Sequence, residues 1–200
     1  MDKITFVIPS RNNLDLLKLA YKSIRNLKGK HEILVLDDAS IDGTGEWLNA
    51  RDDGDLLVYT NPGPERIGIV GMFDKGIEMA NTDIIFAFHA DMVAYPNLDR
   101  ELLKHLKKGT VVSATRVEPP LHPPGPEKII EDFGTMPDEF DYKKWCKYIP
   151  PILNSETTEG IFAPWCMYKD DYLAVGGHDE LFAPQSREDS DLFNRFILKF

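Results

Sequence analysis

Three short clusters carry side chains that could hold a charged ligand or move a proton. The first is Asp37-Asp38 in "VLDDASIDGT", where two adjacent acids end an apolar run and a turn follows. Such a pair turns at least one carboxylate toward whatever lies beyond the strand, where it can accept the imide N–H of a uracil or the N1–H of a guanine. The same residues also suit turn chemistry, and Asp42-Gly43 reads as a plain turn. The second cluster is His89-Ala90-Asp91 in "DIIFAFHADMVAYP". In an extended segment, residues two apart point the same way, so His89 and Asp91 could share one ligand. An imidazole and a carboxylate suit Mn²⁺. They suit Mg²⁺ less, because it wants oxygen ligands. With one protein charge, an anionic ligand such as a diphosphate would bring much of the coordination. The alternative is a hydrogen-bonded histidine closing a strand. The third cluster is Arg187-Glu188-Asp189-Ser190-Asp191. Acids there cap a helix and favour its dipole, which accounts for Asp191 and for Glu188. Asp189 could instead project into a cleft as a general base.

The elements that must position these clusters alternate. "ITFVI" (4–8) is a strand stopped by Pro9. "NLDLLKLAYKSIRNLKG" follows as a helix, with Leu16, Leu17, Ala20, Tyr21, Ile24 and Leu27 at helical spacing, Asn12 or Asn13 as its cap and Gly29 at its end. Further strands fall at 32–36, 56–60, 84–88 and 110–115, with helices at 44–50, 70–80 and 98–106 between them. This order predicts an α/β fold: a mostly parallel sheet with helices on both faces, in a single domain. Ligands in such sheets collect at the carboxyl ends of the strands. Pro9-Ser10-Arg11-Asn12, Asp37-Asp38 and His89-Ala90-Asp91 should therefore share one edge.

The character changes at Arg116. "RVEPPLHPPGPEK" holds five of the chain's 14 prolines, so it is extended and no central strand. Residues 116–158 read as an insertion lying over the sheet edge, with too few apolar residues for a core of their own. The α/β signals resume over 159–200 with "EGIFAPWCMY", "DDYLAVGG" and "REDSDLFNRFILKF". The last puts Leu192, Phe193, Phe196, Ile197 and Phe200 on one helical face. Trp165, after Pro164 at a strand start, reads as core or as a ring that stacks on a sugar. Gly176-Gly177 end a helix. His31, His105, His122 and His178 have no ligand-like neighbours at motif spacing.

A formal charge of -10 over 200 residues excludes a protein that coats nucleic acid. No run of 18 apolar residues spans a membrane, and Met1-Asp2-Lys3 has no signal-peptide layout. The two cysteines, Cys146 and Cys166, are expected to be reduced, as in a cytoplasmic chain or one peripheral to a membrane. GxxxxGK[ST], GxSxG, HExxH and CxxC are absent, which speaks against a P-loop NTPase and the common hydrolases.

Taken in order, these pieces resemble the family-two glycosyltransferases of the GT-A fold. "FVIPSRN" is similar to that family's first strand and nucleotide-contacting turn, and "VLDDASIDGT" to its second-strand motif. "RIGIVGMFDKG" resembles its glycine-rich segment, and "FHADM" stands where the family has D-x-D. "VGGHDELFAPQSREDSDLFNR" resembles its glycine turn and E-D-x-D-L-x-x-R stretch. The resemblance implies an inverting hexosyl transfer from a nucleoside-diphosphate sugar to a hydroxyl of a glycan or other acceptor. It implies that Asp38 holds the base, with Pro9, Ser10, Arg11, Asp37, Arg66, Gly71, Asp74 and Ala90 on the nucleotide side. Asp91, with His89 in place of the first acid, would hold the metal, Mn²⁺ favoured over Mg²⁺. Asp189 would be the base, with Glu188 second and Trp165 near the acceptor. The alternatives are a non-catalytic nucleotide- or glycan-binding module and, on a similar sheet, a nucleotidyltransferase. The latter would show a lysine- and glycine-rich loop that "IPSRNNLD" lacks.

Overall fold

The computed structural model describes residues 2–121, 123, 125, 127–154, 156–157, 163–184 and 187–200. His122, residues 159–162 of the resumed α/β signal, and Gln185 and Ser186 of the last motif lie outside them. The chain runs β1 (Ile4–Ser10), α1 (Leu14–Arg25), β2 (Glu32–Asp38), α2 (Thr44–Asn49), β3 (Leu56–Asn61), α3 (Gly68–Met79) and β4 (Ile84–Ala87). It continues through α4 (Leu98–His105), β5 (Val112–Ser113), β6 (Arg116–Glu118), β7 (Lys128–Ile130) and α5 (Tyr142–Ile152). It ends with β8 (Trp165–Tyr168), α6 (Lys169–Ala174), a 3-10 turn (Glu180–Phe182) and α7 (Glu188–Lys199).

Side chains alternate along each strand, and the two sets meet different helices. Ile4, Phe6, Ile8, Ile33, Val35, Ile84 and Phe86 pack against Leu17, Ala20 and Ile24 of α1, Leu48 of α2 and Leu102 of α4. Val7, Leu34, Leu36, Ile85, Ala87, Trp165 and Met167 pack against Met72, Phe73 and Ile77 of α3, Tyr172 of α6, and Leu192, Phe193 and Phe196 of α7. The central strands are apolar on both faces because both faces are covered. Among the described residues the sheet has six strands in the order β3-β2-β1-β4-β8-β5. β1 pairs parallel with β2 and β4, and β2 with β3, while β8 runs antiparallel between β4 and β5. The expected α/β sheet, mostly parallel and covered on both faces, is what forms.

Several local expectations change. β1 runs through Pro9, although it is a central strand. The ladder explains why: Phe88 N–H donates to Val7 O on the β4 side, and β4 ends at Ala87, so the proline faces that side beyond its neighbour's end. Asn13 stands at the N-cap of α1, as expected, but its side chain makes no capping bond. Asp42 Oδ2 accepts from Leu14 N at 2.9 Å, and its Oδ1 accepts from Thr44 N and Thr44 Oγ1, so the plain turn ties two helix starts together. The insertion does build an apolar cluster: Phe133, Trp145 and Ile149 are buried, joined by Val117, Phe140 and Tyr148, with Val93 and Tyr95 from beyond β4. Its aromatics supply what its few aliphatic residues do not. β6 and β7 pair with each other, outside the main sheet.

Candidate active site

Because β1, β2 and β4 are parallel, their carboxyl ends share one edge, as expected. β8 brings its amino end to the same edge, since Trp165 pairs with Ala87. Trp165 is fully buried, so its ring offers no face to a sugar; this corrects the expectation of stacking. Its indole instead turns to α7, where Nε1 donates to Asp189 Oδ1 at 3.0 Å. Asp189 is thus held in the first turn of α7 behind a left-handed residue, Arg187, at φ 65. Burial alone would raise its carboxyl, but His178 and Trp165 outweigh burial and hold it below the ordinary carboxylate range. An ionised, oriented carboxylate on this edge can accept a proton from an attacking hydroxyl. Glu188 begins the same turn. Asp191 is spent on the helix surface, accepting from Arg195 Nε at 2.8 Å.

Behind Asp189 lies a group that motif spacing does not show. His178 Nε2 is 3.8 Å from Asp189 Oδ1, an ion-pair distance too long for a hydrogen bond. On its other side, His178 Nδ1 lies 3.1 Å from Asp74 Oδ1 and 2.6 Å from Tyr172 Oη. Tyr172 Oη also donates to Asp74 Oδ1. Asp74 therefore serves the interior through Oδ1, which departs from its expected place on the nucleotide side. Gly177 makes room: a Cβ there would lie 3.2 Å from Asp74 Oδ1, and its φ of +70 favours glycine.

At the end of β4 the strand geometry stops early. Met92 N–H donates to His89 O at 3.2 Å, so Ala90-Asp91 form a turn rather than an extended step. The argument that residues two apart point alike does not hold there. His89 is half-buried against Phe73, ring centroids 5.7 Å apart; Ala90 is buried and Asp91 exposed. The three are still one electrostatic neighbourhood with α7. Burial pushes the His89 imidazole below its ordinary range, Asp91, Asp189 and Glu188 pull it up, and Arg116 works with burial. Among the described residues, no group of three or more His, Cys, Asp or Glu could hold a metal by itself.

Asp38 lies two strand spacings away, about 10 Å, since β1 separates β2 from β4. Its side chain is buried and its carboxylate bonded: Oδ1 accepts from Asn61 Nδ2 at 2.8 Å and Ile67 N at 2.9 Å, and Oδ2 from Gly68 N at 2.9 Å. Burial would raise this acid, but these donors hold it below the ordinary range. The expectation of a carboxylate open to a base is corrected: Asp38 caps the start of α3. Asp37 Oδ1 accepts from Ser40 N at 3.1 Å, a turn role. Gly71 sits inside α3, where a Cβ would lie 2.6 Å from Ile67 Cγ2. Ser10 Oγ donates to Asn13 Oδ1 at 2.5 Å, and Arg11 Nη1 donates to Asp38 O at 2.5 Å. Arg66 stays half out in solvent, with Nε 4.0 Å from Asp38 Oδ2. It lines an open cleft of about 500 Å³ with Pro64, Glu65, Ile67, Ala183 and Pro184.

The family model described as Glycosyl transferase family 2 matches residues 5–162, more than half of the chain. The chain belongs to that family. The match covers β1, β2, α3 and the β4 turn, and it ends before β8 and Asp189. The undecaprenyl-phosphate mannosyltransferase of Micrococcus luteus is 27% identical over 120 residues, covering 58% of this chain and 49% of the relative. The probable glycosyltransferase YdaM of Bacillus subtilis is 29% identical over 127 residues, 58% of this chain and 30% of that one. The chain thus spans half or less of the curated relatives it matches. Among solved structures, S. aureus TarS 1-349 superposes with a TM-score of 0.68 at 12% identity, over 98% of this chain and 55% of that one. The mannosyltransferase PcManGT from Pyrobaculum calidifontis, in complex with GDP-Man and Mn²⁺, gives 0.63 at 19% identity, over 98% and 52%. At such identities the likeness is one of fold, and that fold is the GT-A sheet.

Proposed function

We propose that this chain transfers a sugar from a nucleoside-diphosphate sugar to an acceptor hydroxyl, with inversion at the anomeric carbon. The observation that carries the reading is Asp189: ionised, fixed by the Trp165 indole, and set where the carboxyl ends of β1, β2 and β4 gather. Its carboxylate takes the acceptor's proton as the hydroxyl oxygen attacks the anomeric carbon, opposite the departing diphosphate. Holding both reactants on one edge makes that single displacement an intramolecular event. Arg66 and Arg11 are the cations nearest the donor side, and Glu188 is the second candidate for the base.

The chemistry of the donor set at the β4 turn fits a divalent ion that arrives with its nucleotide. His89 would give an imidazole nitrogen and Asp91 an exposed carboxylate, with the diphosphate and water completing the shell. A mixed nitrogen and oxygen set favours Mn²⁺ over Mg²⁺. Bound there, the ion offsets the charge of the leaving diphosphate. PcManGT with GDP-Man and Mn²⁺ and TarS with UDP-GlcNAc support GDP- and UDP-sugars as the donors to try. The name of the Micrococcus luteus relative makes a polyprenyl phosphate an acceptor to include. No helix among the described residues is long and apolar enough to cross a membrane, and we place the chain in the cytoplasm or against a membrane surface.

The test is Asp189→Asn in a panel of donors with and without Mn²⁺. Transfer should fall by a factor on the order of 10²–10⁴ while donor affinity stays put. Equal loss of donor binding would make Asp189 a structural residue. A donor that binds but is neither hydrolysed nor transferred by the unmodified chain would leave a binding module.

A further inference from the structure

His178 follows two glycines in left-handed conformations, and its side chain is 0% exposed. Its ring is walled by Phe73 and Trp165, with centroids 6.0 and 6.1 Å away. Polar groups meet it from three elements. Asp74 of α3 and Tyr172 of α6 face Nδ1, and Asp189 of α7 faces Nε2. Asp179, on its own loop, accepts from Leu181 N, and Arg195 of α7 is bonded to Asp191 and Val175 O.

These contacts fix where the protons are. The Tyr172 hydroxyl gives its proton to Asp74 Oδ1, and an ionised Asp74 can only accept. Nδ1 therefore has one role open to it, which is donor. Nε2 is buried and has no hydrogen-bond partner among the described residues, and the group it faces is Asp189 Oδ1 at 3.8 Å. A bare Nε2 would set a lone pair against a carboxylate and leave the cluster two negative charges in a half-dry site, which is costly. A proton on Nε2 turns the same geometry into an ion pair.

We propose that His178 is a positioning residue, an imidazolium wedged between Asp74 and Asp189 that keeps the base ionised and fixes its orientation. This rests on the reading of Asp189 as the base. When Asp189 takes the acceptor proton, the cluster passes from one net negative charge to none while His178 keeps both of its own protons. Burial would lower the imidazole, but Asp189 and Asp74 together lift it above its ordinary range. Stabilisation from a group raised in this way is complete at low pH and is lost as pH climbs through the folded value. The neighbouring Asp189 is depressed, so the base remains available well into acid.

The experiment has two arms, both on the full chain. Nitrogen-15 NMR of the histidine rings at neutral pH should find His178 protonated on both nitrogens, and Asp189→Asn should leave a proton on Nδ1 alone. In the second arm, His178→Gln keeps a side-chain donor but no charge. The acid limb of its kcat profile should move up by about one pH unit, a loss of about tenfold below the limb and little above it, with donor affinity unchanged. A residue that only packs would lower kcat by one factor at every pH. Should the glutamine variant not fold, Asp74→Asn removes the same clamp and should move the limb the same way. A singly protonated ring in the unmodified protein, or acid limbs that coincide, would overturn the proposal. A chain that turns over no donor would overturn the reading of Asp189 as a base, and the ring spectrum would still decide the charge on His178.

Discussion

Trp165→Phe tests how Asp189, the proposed base, is held. The indole is fully buried among Phe73, Tyr172, Phe193 and His178, and its one polar atom donates to Asp189 Oδ1 at 3.0 Å. Phenylalanine keeps an apolar ring but removes that donor and part of the volume. A hydrogen bond to an ionised partner contributes about 1.5–3 kcal/mol, and the missing ring atoms add about 1 kcal/mol for the gap they leave. Urea unfolding at neutral pH should therefore find the variant less stable by about 2.5–4 kcal/mol. The two parts separate with pH. Asp189 lies below its ordinary range in the folded protein, so its contribution is present above the unfolded value of about 3.9 and is lost as pH falls through the folded value. As pH falls through the folded value of Asp189, the deficit should shrink toward the packing part, about 1 kcal/mol. A deficit that stays constant from pH 7 to the acid end would show that the indole only fills space. The picture of an oriented base would then fail.

Gly68→Ala should cost about 2–4 kcal/mol in thermal unfolding, because φ is +85 and the new Cβ would lie 2.9 Å from Pro184 Cα; an unchanged Tm would mean Pro184 moves aside freely. Asp99→Ala should cost about 2–4 kcal/mol by urea denaturation, since the fully buried Asp99 accepts from His31 Nε2 and Gly29 N, both at 3.0 Å. A loss below 1 kcal/mol would mean that water replaces it. Asp91→Ala should abolish any effect of Mn²⁺ on UDP or GDP affinity in titration calorimetry; no metal effect in the unmodified chain would remove the metal from the mechanism.

The sheet was legible in the sequence because alternating strands and helices with apolar faces leave few other folds. The shared edge followed from parallel strands, and it brought His89, Asp91 and Asp189 into one neighbourhood. Three things were hidden. Asp38 carries the residue type of a base-binding acid, but whether its oxygens are free depends on the backbone of Ile67 and Gly68, which no side-chain pattern reports. Trp165 could be read as core or as a platform, and only its burial decides. His178 carries no motif signal because Tyr172 and Asp189, though close in sequence, stand at no ligand spacing, and Asp74 is 104 residues away and reaches it through packing of α3. The two glycines before His178 were the only local sign of a close approach.

The place of β8 has a consequence for how the polypeptide is made. It is threaded between β4 and β5, so β5 has no neighbour in the main sheet until residues from the last fifth of the molecule arrive. A nascent chain that has emerged only as far as residue 115 would present β4 with a bare, apolar flank, open to pairing with a stranger. The segment through β5 thus cannot finish folding before β8 arrives, and a fragment ending at residue 115 should precipitate rather than stay in solution.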